Sequence, residues 1–226
     1  MSVYLVRHAD KEEGEHYGPE LRLNDQNLSE AGRTQALRLL DCFDGIGIDT
    51  IRASRYRRTS QTASFLAHER GIGIRVDPRL DEIDIGELDR LKDDEIRVRY
   101  PDFWRAYTER TADFRFPGGE SGEEAGARIH EAFLELDLEG NHLLVAHDGI
   151  IRALLCRVLG LPAHRRHLFR IGLCSVTRLE YQSDFGSWAI AEMNGTAHLR
   201  ERCGPGAAST RREWETWLKT GGMLDD

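Results

Sequence analysis

The sequence predicts an α/β fold, a three-layer α/β/α sandwich around a mostly parallel central sheet. Short apolar runs alternate along the chain with stretches of helical periodicity, and this alternation is typical of βα units. The chain has 226 residues, which is enough for one sizeable core. We therefore expect a single domain over residues 1–199, with an insertion at 87–116 and a tail at 200–226.

The first half of the chain predicts strands and helices in alternation. Short apolar runs predict strands at residues 3–6, 49–53 and 72–76. Ser29 is a favoured N-cap residue, and it precedes a helix whose apolar face includes Ala36 and Phe43. A second helix is expected over about residues 56–69, since Gly71 is suited to the left-handed C-terminal cap.

The second half predicts the insertion and then the rest of the sheet. The polar, aromatic-rich insertion is broken by Pro101, so we expect short helices that lie over one face of the sheet. The following segments are predicted as a turn at 117–119, a helix at 122–138, a strand at 143–146, a helix from Asp148 to Gly160, and a hairpin of strands 174–181 and 187–193. No internal repeat is present.

Composition narrows the function classes. Lys and Arg number 31 against 39 for Asp and Glu, and the resulting net charge of -8 argues against nucleic-acid binding. Neither a signal-peptide pattern nor an 18-residue apolar run is found, so we expect neither export nor membrane insertion. The 4 cysteines show no CxxC spacing and suit a reducing, cytoplasmic location. Oligomeric state stays open, with a homodimer as one option.

Unusual polar residues follow three of the predicted strands. One apolar run ends in Arg7 and His8, another in His147, and a third is followed by an arginine cluster that includes Arg58. Ligands of open α/β sheets bind at the carboxyl ends of the strands, so both histidines are expected at the same edge. A helix that starts after His147 would add backbone N–H donors, and guanidinium groups match phosphate oxygens. The combination indicates a phosphoryl pocket.

Each of these residues also has a simpler explanation. A histidine at a strand end is often structural, and Arg7 has Asp10 nearby in sequence as an ion-pair partner. Histidines and carboxylates such as His147 and Asp148 are also compatible with a metallohydrolase. The arginines argue against that alternative, because cations directed into the pocket would repel a metal ion.

The motifs resemble those of the histidine phosphatases, the superfamily that includes the cofactor-dependent phosphoglycerate mutases. The similarity runs in the correct order over about residues 3–199. It comprises Arg7-His8-Ala9, the pattern of Asp25, Leu28, Ser29, Gly32, Gln35 and Ala36, the pattern of Ser54, Arg58, Gln61, Thr62 and Ala63, then Arg79, Leu80, Glu82 and Gly86, the run Pro117–Ser121, and Val145, His147, Gly149, Ile151 and Arg152. The resemblance implies a phosphoglycerate mutase-like fold.

The resemblance also implies roles for individual residues. His8 would attack phosphorus and form a phosphohistidine, which water then hydrolyses. Arg7, Arg58 and His147 would face the phosphoryl oxygens, and Glu82 would protonate the leaving group. No metal ion and no cofactor is needed for this chemistry. We expect a phosphomonoesterase that acts on a small phosphorylated metabolite.

Departures from the family pattern bear on substrate choice. Gly14 stands where the family often has an asparagine, and Asp89 replaces a frequent glycine. The stretch between Glu82 and Pro117 is short and aromatic, whereas mutases have a longer, arginine-rich one, so a phosphatase is favoured. A phosphoglycerate mutase, a phospho-ligand binding module without turnover and a metal-dependent hydrolase remain the alternatives.

Overall fold

The central sheet has six strands and is mixed but mostly parallel. A computed structural model describes residues 1–18 and 21–200 of the chain. The strands are β1 (Ser2–Arg7), β2 (Thr50–Ala53), β3 (Ile74–Val76), β4 (Asn141–Ala146), β5 (Val176–Gln182) and β6 (Ser187–Gly195). Their spatial order is β3-β2-β4-β1-β5-β6. The first four are mutually parallel, and β5 and β6 form the predicted antiparallel hairpin at one edge.

Helices cover both faces of this sheet. They are α1 (Glu30–Leu37), α2 (Leu39–Cys42), α3 (Arg57–Arg70), α4 (Asp93–Arg99), α5 (Pro101–Glu109), α6 (Gly122–Leu134) and α7 (Asp148–Val158). Alternate side chains of β1 enter opposite cores: Val3 and Leu5 pack with residues of α6 and α7, while Tyr4 and Val6 pack with residues of α1 to α3. The predicted three-layer α/β sandwich is confirmed.

Two helices differ from the sequence-based expectation. The helix after Ser29 divides at Arg38, whose N–H lies 3.3 Å from the oxygen of Thr34 and 3.1 Å from that of Gln35, a local tightening of the turn. The predicted helix over 122–138 ends at Leu134. The N–H of Leu136 bonds the oxygen of Phe133, three residues back, and so begins the turn into β4.

The predicted helix caps are present. Ser29 Oγ accepts a hydrogen bond from the N–H of Gly32 at 3.0 Å, and Gly71 ends α3 with φ of 63°. Gly32 has a second constraint, since a Cβ there would lie 1.9 Å from the backbone oxygen of Asp10. This close approach brings α1 against the chain that leaves β1.

The segment 87–116 contains a 3-10 turn followed by α4 and α5. Pro101 is the first residue of α5, where its missing N–H costs nothing, and α4 ends before it at Arg99. The Tyr17 hydroxyl donates to Asp89 Oδ2 at 2.7 Å, so this segment contacts the chain after β1. Most of the predicted tail, from residue 201 onward, lies outside the described residues.

None of the helices in residues 1–18 and 21–200 combines the length and apolar character needed to cross a bilayer.

Candidate active site

The carboxyl ends of β1, β2 and β4 bring the predicted residues together. β4 lies between β1 and β2, and all three strands are parallel, so the residues that follow them meet at one edge. His8 follows β1 and His147 follows β4, with their ring centroids 5.2 Å apart. Arg58 enters from the first turn of α3, which follows β2. The topology thus assembles one site from three distant parts of the sequence.

His8 is held rigidly and is neutral. Its backbone N–H bonds Ala146 at 2.9 Å, and its oxygen accepts from Cys174 at 3.2 Å. The ring Nδ1 lies 2.8 Å from the oxygen of Ala9, so Nδ1 carries the proton and Nε2 keeps its lone pair. Burial, followed by the neighbouring Arg58, lowers the pKa of His8 to about 3. The ring is therefore a neutral imidazole with Nε2 available.

Two guanidinium groups stand beside His8, that of Arg58 buried and that of Arg7 partly buried. Arg7 Nη1 donates to the oxygen of Ile171 at 2.7 Å, and Arg58 Nη1 donates to that of Asn24 at 2.8 Å. Within the described residues, neither arginine has a carboxylate at ion-pair distance, and the Nε of each is buried without a hydrogen-bond partner. Burial lowers the pKa of Arg58. Cations removed from solvent are normally paired, so this arrangement is suited to bind an anion.

The simpler explanation for Arg7 does not hold in the structure. Asp10 Oδ2 accepts from Ser29 Oγ at 2.5 Å, while Arg7 bonds Ile171. Asp10 therefore helps fix the start of α1.

His147 is completely buried, and both of its ring nitrogens are engaged. Arg58 Nη2 lies 3.1 Å from Nδ1, and because a guanidinium can only donate, Nδ1 is the acceptor. Nε2 therefore carries the proton and donates to Ser54 Oγ at 2.8 Å. Burial, then Arg58, lowers the pKa of His147 well below its usual value. The neutral ring thus helps hold the Arg58 guanidinium in place.

Glu82 lies at the N-terminus of α7. Oε1 accepts from the N–H groups of Ile83 and Ile150, both at 2.9 Å, and Oε2 accepts from Gly149 at 3.1 Å. Burial raises the pKa of Glu82, and the three N–H groups oppose this rise without cancelling it. Oε2 has only one donor, so it retains room for a proton.

The other two arginines of the cluster are already paired. Arg55 bonds the carboxylate of Asp81, with Nε at 2.7 Å from Oδ2. The backbone N–H of Arg57 donates to Asp25 Oδ1 at 2.7 Å, and its Nε lies 3.7 Å from Oδ2. Asp25 therefore fixes the first turn of α3. Arg58 alone of these three contacts a histidine of the site.

Tyr56 is a site residue that the sequence analysis did not identify. Its ring lies edge-on to His147, with centroids 5.1 Å apart, and the Arg58 guanidinium carbon lies 4.4 Å from the ring centroid. An aromatic residue just before an arginine-bearing helix start was the available signal. The ring excludes water from one side of Arg58 and His147 and adds a cation–π contact.

Over the described ranges, the structure has no cluster of three or more His, Cys, Asp and Glu side chains arranged to hold a metal ion.

Together, the fold and site define an α/β protein with a cationic, histidine-containing pocket at the carboxyl edge of its sheet. The profile of the histidine phosphatase superfamily (branch 1) matches residues 3–196. The chain belongs to this superfamily and is an enzyme of it.

Named relatives include both mutases and phosphatases. "Probable phosphoglycerate mutase GpmB" of Cronobacter sakazakii is 32% identical over 208 residues, covering 88% of this chain and 95% of the relative. A mycobacterial glucosyl-3-phosphoglycerate phosphatase solved with inorganic phosphate is 28% identical, with a TM-score of 0.74, covering 88% of this chain and 99% of that one. A putative alpha-ribazole-5'-P phosphatase of Escherichia coli K-12, 20% identical, has a TM-score of 0.73 over 86% of this chain and 96% of its own, and shows the shared fold.

Proposed function

We propose that this enzyme is a metal-independent phosphomonoesterase that hydrolyses a small phosphorylated metabolite through a phosphohistidine on His8. The observation that carries the proposal is the pairing of a neutral His8, its Nε2 unprotonated, with two cations that have no carboxylate partner among the described residues. A phosphoryl dianion supplies the missing negative charge, and the imidazole is the nucleophile.

In the first step, the Nε2 lone pair of His8 attacks phosphorus. The N–P bond forms as the ester P–O bond breaks, and the leaving oxygen takes the proton from Glu82 Oε2. Arg7 and Arg58 stabilise the charge on the equatorial oxygens. Their positions need little rearrangement, because protein oxygens already fix one nitrogen of each guanidinium.

In the second step, water attacks phosphorus from the side opposite His8. The ionised Glu82 takes a proton from the water, the N–P bond breaks, and inorganic phosphate leaves. Glu82 is then protonated again, and His8 again has its free Nε2. The raised pKa of Glu82 suits a group that must both donate and accept within one cycle.

His147 has a conditional role in this scheme. Its Nδ1 accepts from Arg58 in the structure, so it can donate to a phosphoryl oxygen only after gaining a proton there. The charge of Arg58 lowers the pKa of His147 in the structure. We propose that a bound dianion offsets this charge, so that the pKa of His147 rises and Nδ1 takes up a proton. His147 would then contribute a third donor to the bound phosphoryl group.

Mutase activity is the second candidate, because the named relatives of this chain include a probable phosphoglycerate mutase. It would use the same phosphohistidine and differ only in the acceptor, an alcohol in place of water. The short, aromatic segment 87–116 favours hydrolysis. We also propose that this segment covers the site.

The decisive experiment is turnover of 4-nitrophenyl phosphate with and without a chelator. Turnover that survives the chelator is expected; turnover lost to the chelator and restored by a divalent ion would support the metallohydrolase alternative. Absence of turnover together with phosphate binding would indicate a binding module. A panel of phosphorylated metabolites, assayed for phosphate release and for phosphoryl transfer on 3-phosphoglycerate, separates phosphatase from mutase.

A further inference from the structure

Lys11 lies on the chain that leaves β1, shortly after the nucleophile. It follows His8 by three residues, and its backbone pairs with Leu28 in an isolated antiparallel bridge. Its ammonium donates to Gln26 Oε1 at 2.6 Å, and the buried Gln26 is fixed by its own bond to Gly14 at 2.6 Å. An ammonium has three N–H donors, so this neutral acceptor leaves others for a ligand.

Two guanidinium groups act on the ammonium of Lys11. Although Lys11 is exposed as a whole residue, desolvation of its ammonium, followed by the guanidinium of Arg58, lowers its pKa, and Arg7 acts in the same direction. Lys11 in turn contributes to the low pKa of His8, which places its charge within electrostatic reach of the nucleophile. The fields of three cations therefore act on one imidazole.

The two carboxylates that act on Lys11 most strongly are bonded elsewhere. Asp10 Oδ2 accepts from Ser29, and Asp89 Oδ2 accepts from the Tyr17 hydroxyl. In the part of the chain that the structure describes, no carboxylate lies at ion-pair distance from the ammonium of Lys11. Asp89 and Asp10 reduce the repulsion around Lys11 through their fields, without forming an ion pair with it. Converging like charges are unfavourable unless an anion completes the cluster.

We propose that Lys11 is a third phosphate-binding cation of this site, its ammonium contacting an oxygen of the phosphoryl group held by Arg7 and Arg58. The inference rests on the proposed function, since that function places a phosphoryl group at His8. It assigns the segment after β1 a direct part in binding. The Gln26 contact places the ammonium on the same set of hydrogen bonds as Arg58, because the oxygen of Gly14 accepts from both Gln26 and Asn24, and the oxygen of Asn24 accepts from Arg58 Nη1.

Titration with inorganic phosphate and with orthovanadate tests this role. Lys11→Met keeps the length of the side chain and removes its charge, so both affinities should fall by at least about tenfold, as expected for a charge-assisted bond. Lys11→Arg should retain most of the affinity. Arg75→Met removes a cation at an exposed position of the edge strand β3 and should leave affinity unchanged. Equal affinities for Lys11→Met and wild type would overturn the proposal.

A second measurement needs no variant. Reductive methylation of the wild-type amines, followed by mass spectrometry, should show Lys11 protected by saturating vanadate, while the N-terminal amine of Met1, at the opposite end of β1 from His8, reacts as before. Unchanged labelling of Lys11 would overturn the proposal.

The two proposals can fail separately. If the wild type forms phosphohistidine but Lys11→Met binds phosphate normally, only the Lys11 inference is wrong. If phosphate binding depends on Lys11 but no phosphohistidine forms, the proposed function is wrong and the anion site stands.

Discussion

Glu82→Gln tests the proposed acid by changing how strongly the leaving group needs a proton. Glutamine keeps the shape of the side chain and removes the transferable proton. An alkyl phosphate expels a strongly basic alkoxide, whereas 4-nitrophenyl phosphate expels an anion that is stable near neutral pH. We expect a loss of about 10²- to 10⁴-fold in kcat/KM on the alkyl ester, the usual contribution of a positioned acid, and a much smaller loss on the aryl ester.

The structure also predicts a cost in stability for this variant. The glutamine oxygen can replace Oε1 and accept from Ile83 and Ile150, which places its NH2 group against the N–H of Gly149. One N–H then loses its acceptor, at a cost of about 1–3 kcal/mol. For a chain of this size, each kcal/mol lowers Tm by about 2–4 °C. Glu82→Gln should therefore remain folded at assay temperature but melt measurably earlier.

The pH dependence gives a further readout. Burial raises the pKa of Glu82, and the acid must be protonated to act, so kcat/KM on the alkyl ester should fall as pH rises through that raised pKa. The fall should disappear in Glu82→Gln.

Asp84→Asn is the matched control for the Glu82 experiment. Asp84 lies on the same loop, but its carboxylate bonds Arg22 and Gly86. The Asp84→Asn substitution should change kcat/KM on the two esters by the same factor. Equal losses on both esters in Glu82→Gln would mean that Glu82 only holds α7 in place, and Asp81 or Asp84 would become the candidate acid.

Three other changes test the rest of the site. His8→Ala is expected to abolish turnover and acid-labile phosphate labelling in rapid-quench experiments while Tm barely changes; substantial residual activity would refute the nucleophile assignment. Arg58→Ala is expected to weaken vanadate inhibition and to slow turnover by about 10²–10³, whereas Arg55→Ala, which removes an already paired charge, should leave inhibition nearly unchanged. Similar inhibition by vanadate in both variants would mean that the wrong arginine is assigned to the pocket. Gly149→Ala places a Cβ 2.7 Å from Glu82 Oε1, so the carboxyl must move, and turnover of alkyl phosphates should fall more than that of 4-nitrophenyl phosphate. A uniform loss on both esters would argue against Glu82 as the acid.

The sequence by itself determined the fold class and the edge of the sheet at which the site lies. Strand and helix periodicities are local properties, and so are caps such as Ser29 and Gly71, which the structure confirms. A parallel sheet then places the ends of its strands at one edge, which is why His8 and His147 could be expected together. Helix ends were less well determined. Helix α6 ends at Leu134, where the chain turns toward β4, and the helix after Ser29 divides at Arg38, where the turn tightens.

Only the tertiary structure decided which cations are available to a ligand. Arg55 and Arg58 are three residues apart and look equivalent in sequence, yet one is paired with Asp81 and the other is not paired with any carboxylate of the described residues. The proton positions on His147 likewise follow from Ser54 and Arg58, which lie far away in sequence. Pairing, burial and tautomer depend on groups brought in from distant segments, and no local pattern contains that information.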